Sequence, residues 1–348
     1  SPPTRLLRSN LVELRMAAGG ESIETVETLA PGVIEFAPNA PGQPRRRMEA
    51  ARINVLYGAN NRARLLRATE VSTRTDYAKT ASGQQPPPLL TWSRRLEARF
   101  SAAGEVEAME QHGEFRFDRG SQRGSADAAR LEEPPGLLTL EGKARVWDAA
   151  GSLSAARIVL DQERGDVSAE GDVASTREPE RKGQASVVSA GEPVHARAQK
   201  MYMPGGGRII RYEGRVILWQ QANRMEADWV EIDREQRPLS ARGNVVSSFA
   251  ETPPTDSGRA LVYTILRAAE MLYEENSRTA RYSGGVTLKR GNLEVVSDRL
   301  RAVLKTGDEG AALETAYAEG AVRIRQQTAG RSRTGTGEYA EYAVHEER

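Results

Sequence analysis

The sequence predicts an all-β chain whose tandem units stack into a folded, elongated sheet, and three observations carry that expectation. The first is alternation. Ile53, Val55 and Tyr57, Phe115 and Phe117, Ile158 and Leu160, Val216 and Leu218, Val230 and Ile232, Val286 and Leu288, and Val322 and Ile324 are each separated by one residue. A period of two gives a strand one apolar and one polar face, whereas a helix repeats at three or four. The second is a recurring glycine followed two places later by an apolar residue: HGEF (Gly113), EGDV (Gly171), EGRV (Gly214), RGNV (Gly243), SGGV (Gly284) and EGAV (Gly320), with EGKARV (Gly142) a looser copy. The intervals between successive glycines are 29, 29, 43, 29, 41 and 36 residues. The third is turn chemistry between the runs, in DAAGS, DQERGD, MPGGGR, DREQRP and EENSR.

A second element precedes most of these glycines, usually alanine, two variable residues and an apolar residue. EARF (Phe100), AARI (Ile158), AQKM (Met201), ADWV (Val230) and AEML (Leu272) place that apolar residue 13 positions before the glycine in four cases and 12 in the fifth. AARI at Ile53, AARL at Leu131 and SDRL at Leu300 read as further copies, about eight units in all.

Glycine is the residue that weakens strands most, so one at a fixed phase of every unit marks a bulge, a kink or a close backbone approach, with the next valine returning to the core. Units sharing that corner bury alternate side chains in a common crease, each against its neighbours. Eight of them at strand spacing make a body on the order of 35 to 40 Å long.

Four polar segments read as loops: DYAKTASGQQPPPLLTW, STREPERKGQAS from Ser175, AETPPTDSG from Ala250 and QTAGRSRTGTG from Gln327. The first separates an N-terminal β module, 1–78, through a proline-rich loop, 79–95, from the regular repeats of 96–348, which are read as continuous with that module.

Composition excludes several functions. Lysine plus arginine (49) nearly cancels aspartate plus glutamate (48), so no basic field recruits nucleic acid. The absence of cysteine removes disulfides, thiolate metal sites and cysteine nucleophiles. No apolar run approaches the roughly 20 residues that span a bilayer. The chain opens SPPTRLLRSN, and an export signal or N-terminal anchor is expected outside it.

The pairing of ADWVEID with RGNVVSS, and of SDRLRAVL with EGAVRIR, resembles the repeats of the LptA/OstA-like family, which takes in LptA, LptC and the N-terminal domain of LptD. The resemblance is clearest from about Leu96 to Tyr342. It implies a folded antiparallel β-jellyroll that carries lipopolysaccharide through an apolar crease in the periplasm, without catalysis and without a cofactor. It also implies a doubled member or a fusion of two such domains.

Acyl chains need a continuous apolar trough, and burial is worth about 0.8 kcal/mol per CH2. The lipid-groove candidates are Phe115, Ile158, Leu160, Val216, Leu218, Val230, Val245, Val286, Leu288, Val322 and Ile324, set against the alternative that they fill a dry core. An unclosed array leaves unpaired edges, which suit end-to-end pairing with another β-jellyroll or a second copy. GEYAEYAVHEER reads either as such an edge, with Ala340, Tyr342 and Val344 on one face, or as a frayed end.

Catalytic readings find little support. His112, His195 and His345 share no motif, no G-x-S-x-G elbow occurs, and GTGEYA lacks the strand-turn-helix setting of a dinucleotide loop. No metal site is expected. The clusters PRRRM (Arg45, Arg46, Arg47) and WSRRL (Arg94, Arg95) read as charged edges or as contacts for lipid phosphates. Trp92, Trp147, Trp219 and Trp229 read as covers for the core or as anchors at the trough rim. Beside the lipid carrier stand a structural or adhesive β-solenoid with a dry core and a polysaccharide-active enzyme on a β scaffold. The enzyme would need convergent carboxylates in a cleft.

Overall fold

A computed structural model describes residues 5–38, 42–79, 83–133, 136–179, 192–235, 238–251, 261–307, 310–328 and 330–344. Among them are twenty-one strands and one 3₁₀ turn, Ala59–Asn61. The strands are β1 (Arg5–Ser9), β2 (Val12–Met16), β3 (Ile23–Thr28), β4 (Gly32–Phe36), β5 (Arg45–Tyr57), β6 (Ala63–Asp76), β7 (Leu89–Phe100), β8 (Val106–Arg119), β9 (Gln122–Glu132), β10 (Leu137–Asp148) and β11 (Gly151–Asp161). They continue with β12 (Val167–Arg177), β13 (Val194–Met203), β14 (Ile209–Gln220), β15 (Asn223–Asp233), β16 (Pro238–Glu251), β17 (Val262–Glu274), β18 (Thr279–Arg290), β19 (Leu293–Gly307), β20 (Gly310–Thr328) and β21 (Arg331–Ala343).

The chain divides into two compact units, Ser1–Ala149 with Ser154–Val167, and Ala150–Leu153 with Ser168–Arg348. In the first, β5 to β10 form an antiparallel meander, each strand paired with the next. One half of β5 pairs with β4 and the other with β3, which pair in turn with β1 and β2. In the second, β13 to β21 form a second antiparallel meander.

The recurring glycine is a β-bulge. In β16, Arg242 opposes Glu270 and Val245 opposes Ala268, so Gly243 and Asn244 together face Ala269 alone. Both adopt the left-handed conformation, with φ of 72° and 50°. The same two-against-one register recurs at Gly113–Glu114, Gly214–Arg215, Gly284–Gly285 and Gly320–Ala321. An extra residue bends and twists the strand locally, which is the corner the repeat predicts. β6 turns the same corner with one left-handed residue, Glu70 (φ 49°), and no register shift there.

The alanine-initiated element has an equally direct cause. Opposite each bulge the partner strand sets two successive side chains outward, so its inward residues fall three apart: Ala227 and Val230 are buried while Asp228 is exposed and Trp229 half-buried. Each unit is therefore a hairpin of one such strand and one bulged strand. Three copies move as a result. The inward apolar residue is Met271 rather than exposed Leu272, Ala129 rather than half-buried Leu131, and, for the element facing Gly113, Leu96 rather than Phe100, which is buried further along β7. With Met271 and Ala129 in place, both lie 13 residues before their glycines, Gly284 and Gly142.

All four segments read as loops contain strand residues: Ser175 to Arg177 end β12, Ala250 and Glu251 end β16, and the other two run further into strands. LLTW opens β7, and SRTGTG lies within β21, an edge strand whose whole length is paired with β20. Backbone pairing there overrides a composition that favours turns. The loop interiors 80–82, 180–191, 252–260 and residue 329 lie outside the described residues.

Candidate functional site

Between the corners and the strand ends, inward side chains line up across the strands. In the second unit one row crosses seven strands in register: Leu218, Met225, Ser247, Leu266, Leu288, Val295 and Ile324. On the other side of the corner runs a second row: Met201, Tyr212, Val230, Ala241, Met271, Tyr282, Leu300, Ala318 and Ala340. Each row joins neighbours directly opposite one another, the closest side-chain pairs a sheet offers.

Of the eleven groove candidates, Phe115, Ile158, Val216, Leu218, Val230, Val245, Val286, Leu288 and Val322 are buried, and Leu160 and Ile324 are half-buried. Leu218, Leu288 and Ile324 fall in the first row and Val230 in the second. Val216, Val245, Val286 and Val322 are the residues that follow the bulges, while Phe115 and Ile158 belong to the first unit. The alternation does not single out Met225, Leu266 and Val295, nor Tyr212, Ala241, Met271 and Tyr282 of the second row. The signal lay in carrying the alternation through the strands that have no glycine.

Tyr282 is the largest of the fully buried side chains among the described residues, and the Ser247 hydroxyl lies close enough to its own to act on it, although the pair falls short of ideal hydrogen-bond geometry. Burial pushes its phenol up from the ordinary 10.0, and pushes that of Tyr273 up to about 12. A folded-state value above the unfolded one means that the stability tied to these protonated phenols is intact below pH 10 and drains away as pH rises toward about 12. Tyr282→Phe leaves the buried Ser247 hydroxyl without its neighbour and is expected to lower the urea midpoint by the equivalent of about 1 kcal/mol, whereas adding Ser247→Ala should restore it.

The ends of the inward rows are polar. In the first unit they finish on Arg46 of β5, Tyr77 just after β6 and Arg119 of β8, along one rim of the sheet. Glu133, just after β9, lies at the opposite end of the same ladder, where Glu132 opposes Ala108 and Arg99 opposes Ala108 in turn. A strand as long as β5 spans about 40 Å when flat. Yet Arg46 Nη2 donates to both Glu133 carboxylate oxygens, at 2.7 and 2.6 Å. The sheet is folded so far at its corner that its two rims touch. Arg5 makes a second bridge: its guanidinium lies 5.7 Å from the Phe36 ring on one rim and 4.4 Å from the Phe100 ring on the other, and donates to the Gly104 carbonyl. Arg119 lies over the Tyr77 ring at 4.9 Å. In the second unit Asn223 Nδ2 donates to the Ala311 carbonyl at 2.9 Å, and its Oδ1 accepts from the Ala250 amide.

Alternation splits the basic clusters. Arg45 and Arg47 point outward and pair with Glu35 and Glu49, Arg94 pairs with Glu114, and Arg95 is exposed. Only Arg46 of the triplet points toward the crease. Trp147, Trp219 and Trp229 lie half-buried on the outer face beneath Arg145, Arg197 and Arg242, and Trp92 is exposed there. They are not at the trough rim, because each sits out of phase with the inward row of its own strand. His112 is exposed near Glu110, His195 stacks on Trp219, and His345 lies outside the described residues. Among the described residues no group of three or more His, Asp or Glu could hold a metal ion. Ala340 and Tyr342 are half-buried and Val344 buried, against exposed Tyr339 and Glu341, so the C-terminal segment is an alternating edge strand.

Comparison with known proteins places these features. A family model described as LptA/(LptD N-terminal domain) LPS transport protein matches residues 42–166 and 266–348. No curated protein sequence matches the chain. Among solved structures, it is similar to LptH from Pseudomonas aeruginosa, described as the LptA homologous periplasmic component of the conserved lipopolysaccharide transport device. That similarity is at 16% identity and a TM-score of 0.31, over 41% of this chain and 92% of that one.

Proposed function

The chain belongs to the LptA/LptD N-terminal domain family of lipopolysaccharide transport proteins, and from that membership we propose that it binds the acyl chains of lipopolysaccharide in the crease between its inward rows and conducts them as a bridge in the periplasm. This is transport without chemical change of the cargo. The observation that supports it best is the uninterrupted row from Leu218 to Ile324, seven strands crossed with six apolar residues and one small hydroxyl.

In the folded sheet most of these side chains are buried. Acyl chains therefore enter by parting the two halves, exchanging protein contacts for lipid contacts at about 0.8 kcal/mol per buried CH2. Among the described residues β21 pairs only with β20, β1 only with β4 and β2 only with β3. Such edges suit strand addition by other β-jellyroll proteins of the pathway or by a second copy. The same burial also suits a structural array with a dry core, so the test must separate the two. Purified protein is expected to retain lipopolysaccharide and its lipid A portion, but not the saccharide freed of acyl chains. Retention of neither acylated form would favour the dry core and contradict the proposal.

A further inference from the structure

We propose that the seam of the first unit is a headgroup site: Arg46, with Arg119 on the same rim, binds a phosphomonoester of the amphiphile, and the phosphate takes Arg46 from Glu133 and so loosens the contact between the rims. This rests on the carrier reading, and it specifies where the charged end of the cargo sits and how its arrival loosens the seam.

The placement carries the argument. Arg46 and Arg119 terminate inward rows whose preceding residues are apolar, Met48 and Ala50 on β5, and Phe115 and Phe117 on β8. An amphiphile with its chains along those rows would bring its polar end to this rim. The cationic groups there outnumber the anionic ones. Arg46 is held by the Glu133 carboxylate, while Arg119 is within ion-pair distance of no carboxylate among the described residues and rests on the Tyr77 ring. Arg46, Arg119 and Glu133 all act electrostatically on the Tyr77 hydroxyl, which marks them as one cluster. Guanidinium binds phosphate in the same two-point geometry that it uses for carboxylate, and a phosphomonoester brings about −1.5 to −2 charge against the single charge of the carboxylate. Because Arg46–Glu133 joins opposite ends of the ladder, exchanging that carboxylate for phosphate removes the ion pair across this seam and leaves the contacts of Arg5 and the stacked Phe36 and Phe100 rings, 6.3 Å apart.

The test compares binding of lipid A and of the same lipid stripped of its phosphates. The wild-type chain is expected to prefer the phosphorylated form about tenfold, the worth of one charge-assisted contact. Arg46→Gln and Arg119→Gln should abolish the preference; Arg46→Gln, which also breaks the bridge to Glu133, should raise affinity for the dephosphorylated lipid, and Arg119→Gln should not. Glu133→Gln, which removes the competing carboxylate, should increase the preference. Arg47→Gln, on the outer face, should leave it intact. Inorganic phosphate at the lipid's concentration should not erode the preference, because the acyl chains deliver the headgroup. If it does, the site is one for free phosphate and the headgroup proposal is overturned. Equal binding of both lipids by the wild type overturns the proposal and leaves the carrier reading standing; binding of neither overturns the carrier reading itself.

Discussion

Gly284→Ala is expected to lower the stability of the chain by about 2 to 5 kcal/mol, while Gly285→Ala, one residue along, should cost about 1 kcal/mol. Both glycines sit in the β18 bulge with nearly the same backbone, φ of 83° and 79°. Each alanine therefore meets the strain of a left-handed conformation. The difference is space. A Cβ on Gly284 would lie 2.5 Å from the Cβ of Ala269, whereas a Cβ on Gly285 meets nothing within 4 Å. Carbon atoms prefer about 3.5 to 4.0 Å, and an alanine methyl has no rotamer by which to withdraw. The second bulge position carries Glu114, Lys143, Asp172, Arg215, Asn244 and Ala321 elsewhere, all with positive φ, so a side chain there is compatible with the corner. Urea unfolding followed by circular dichroism measures both variants. Equal costs would mean that the corner is set by φ alone and not by the close approach of the partner strand.

The second large effect belongs to Glu251 and Arg290, at the ends of β16 and β18. Their side chains are only 10% and 11% exposed, and Arg290 Nη1 lies 2.6 Å from Glu251 Oε2 and 3.1 Å from Thr264 Oγ1. Arg290→Met leaves the carboxylate buried without its guanidinium, and the expected loss is about 3 to 5 kcal/mol. Glu251→Leu alone should cost less, because Arg290 keeps its hydrogen bond to Thr264 Oγ1. The double variant should recover most of the loss, because an apolar pair of similar volume requires no desolvation of charge. The urea midpoints of the two single variants and the double variant form a double-mutant cycle. Additive costs would contradict this account, since they would mean that the two charges do not depend on each other.

Much of this architecture was legible because its causes are local. Alternation follows from the pleat, and the glycine from the left-handed corner, so both repeat wherever a unit repeats. The errors arose where the corner breaks the period of two. Met271 and Leu272 are adjacent and both apolar, and only the two outward residues imposed by the facing bulge decide which of them enters the core. Ala129 carries too little apolar surface to compete with Leu131 in a pattern search. The edge strand β21 is rich in glycine, serine and threonine, and is held by its ladder with β20 rather than by propensity. The rim was hidden for another reason. Arg46 meets Glu133 across 87 residues of chain, and that contact exists only because many small bends bring the two ends of the ladder together. The sequence placed Arg46 in a basic cluster with Arg45 and Arg47, but its inward phase emerges only once β5 is counted back from Met48.

The central claim is that acyl chains travel on the inward face of the folded sheet, and site-specific photo-crosslinking to lipopolysaccharide tests it most directly. A photoreactive side chain at Leu218 or Leu288, four strands apart in one cross-strand row, is expected to capture lipid, and one at Arg215, on the outer side of the β14 bulge, is expected to capture none. Capture of equal strength from all three positions would contradict the account.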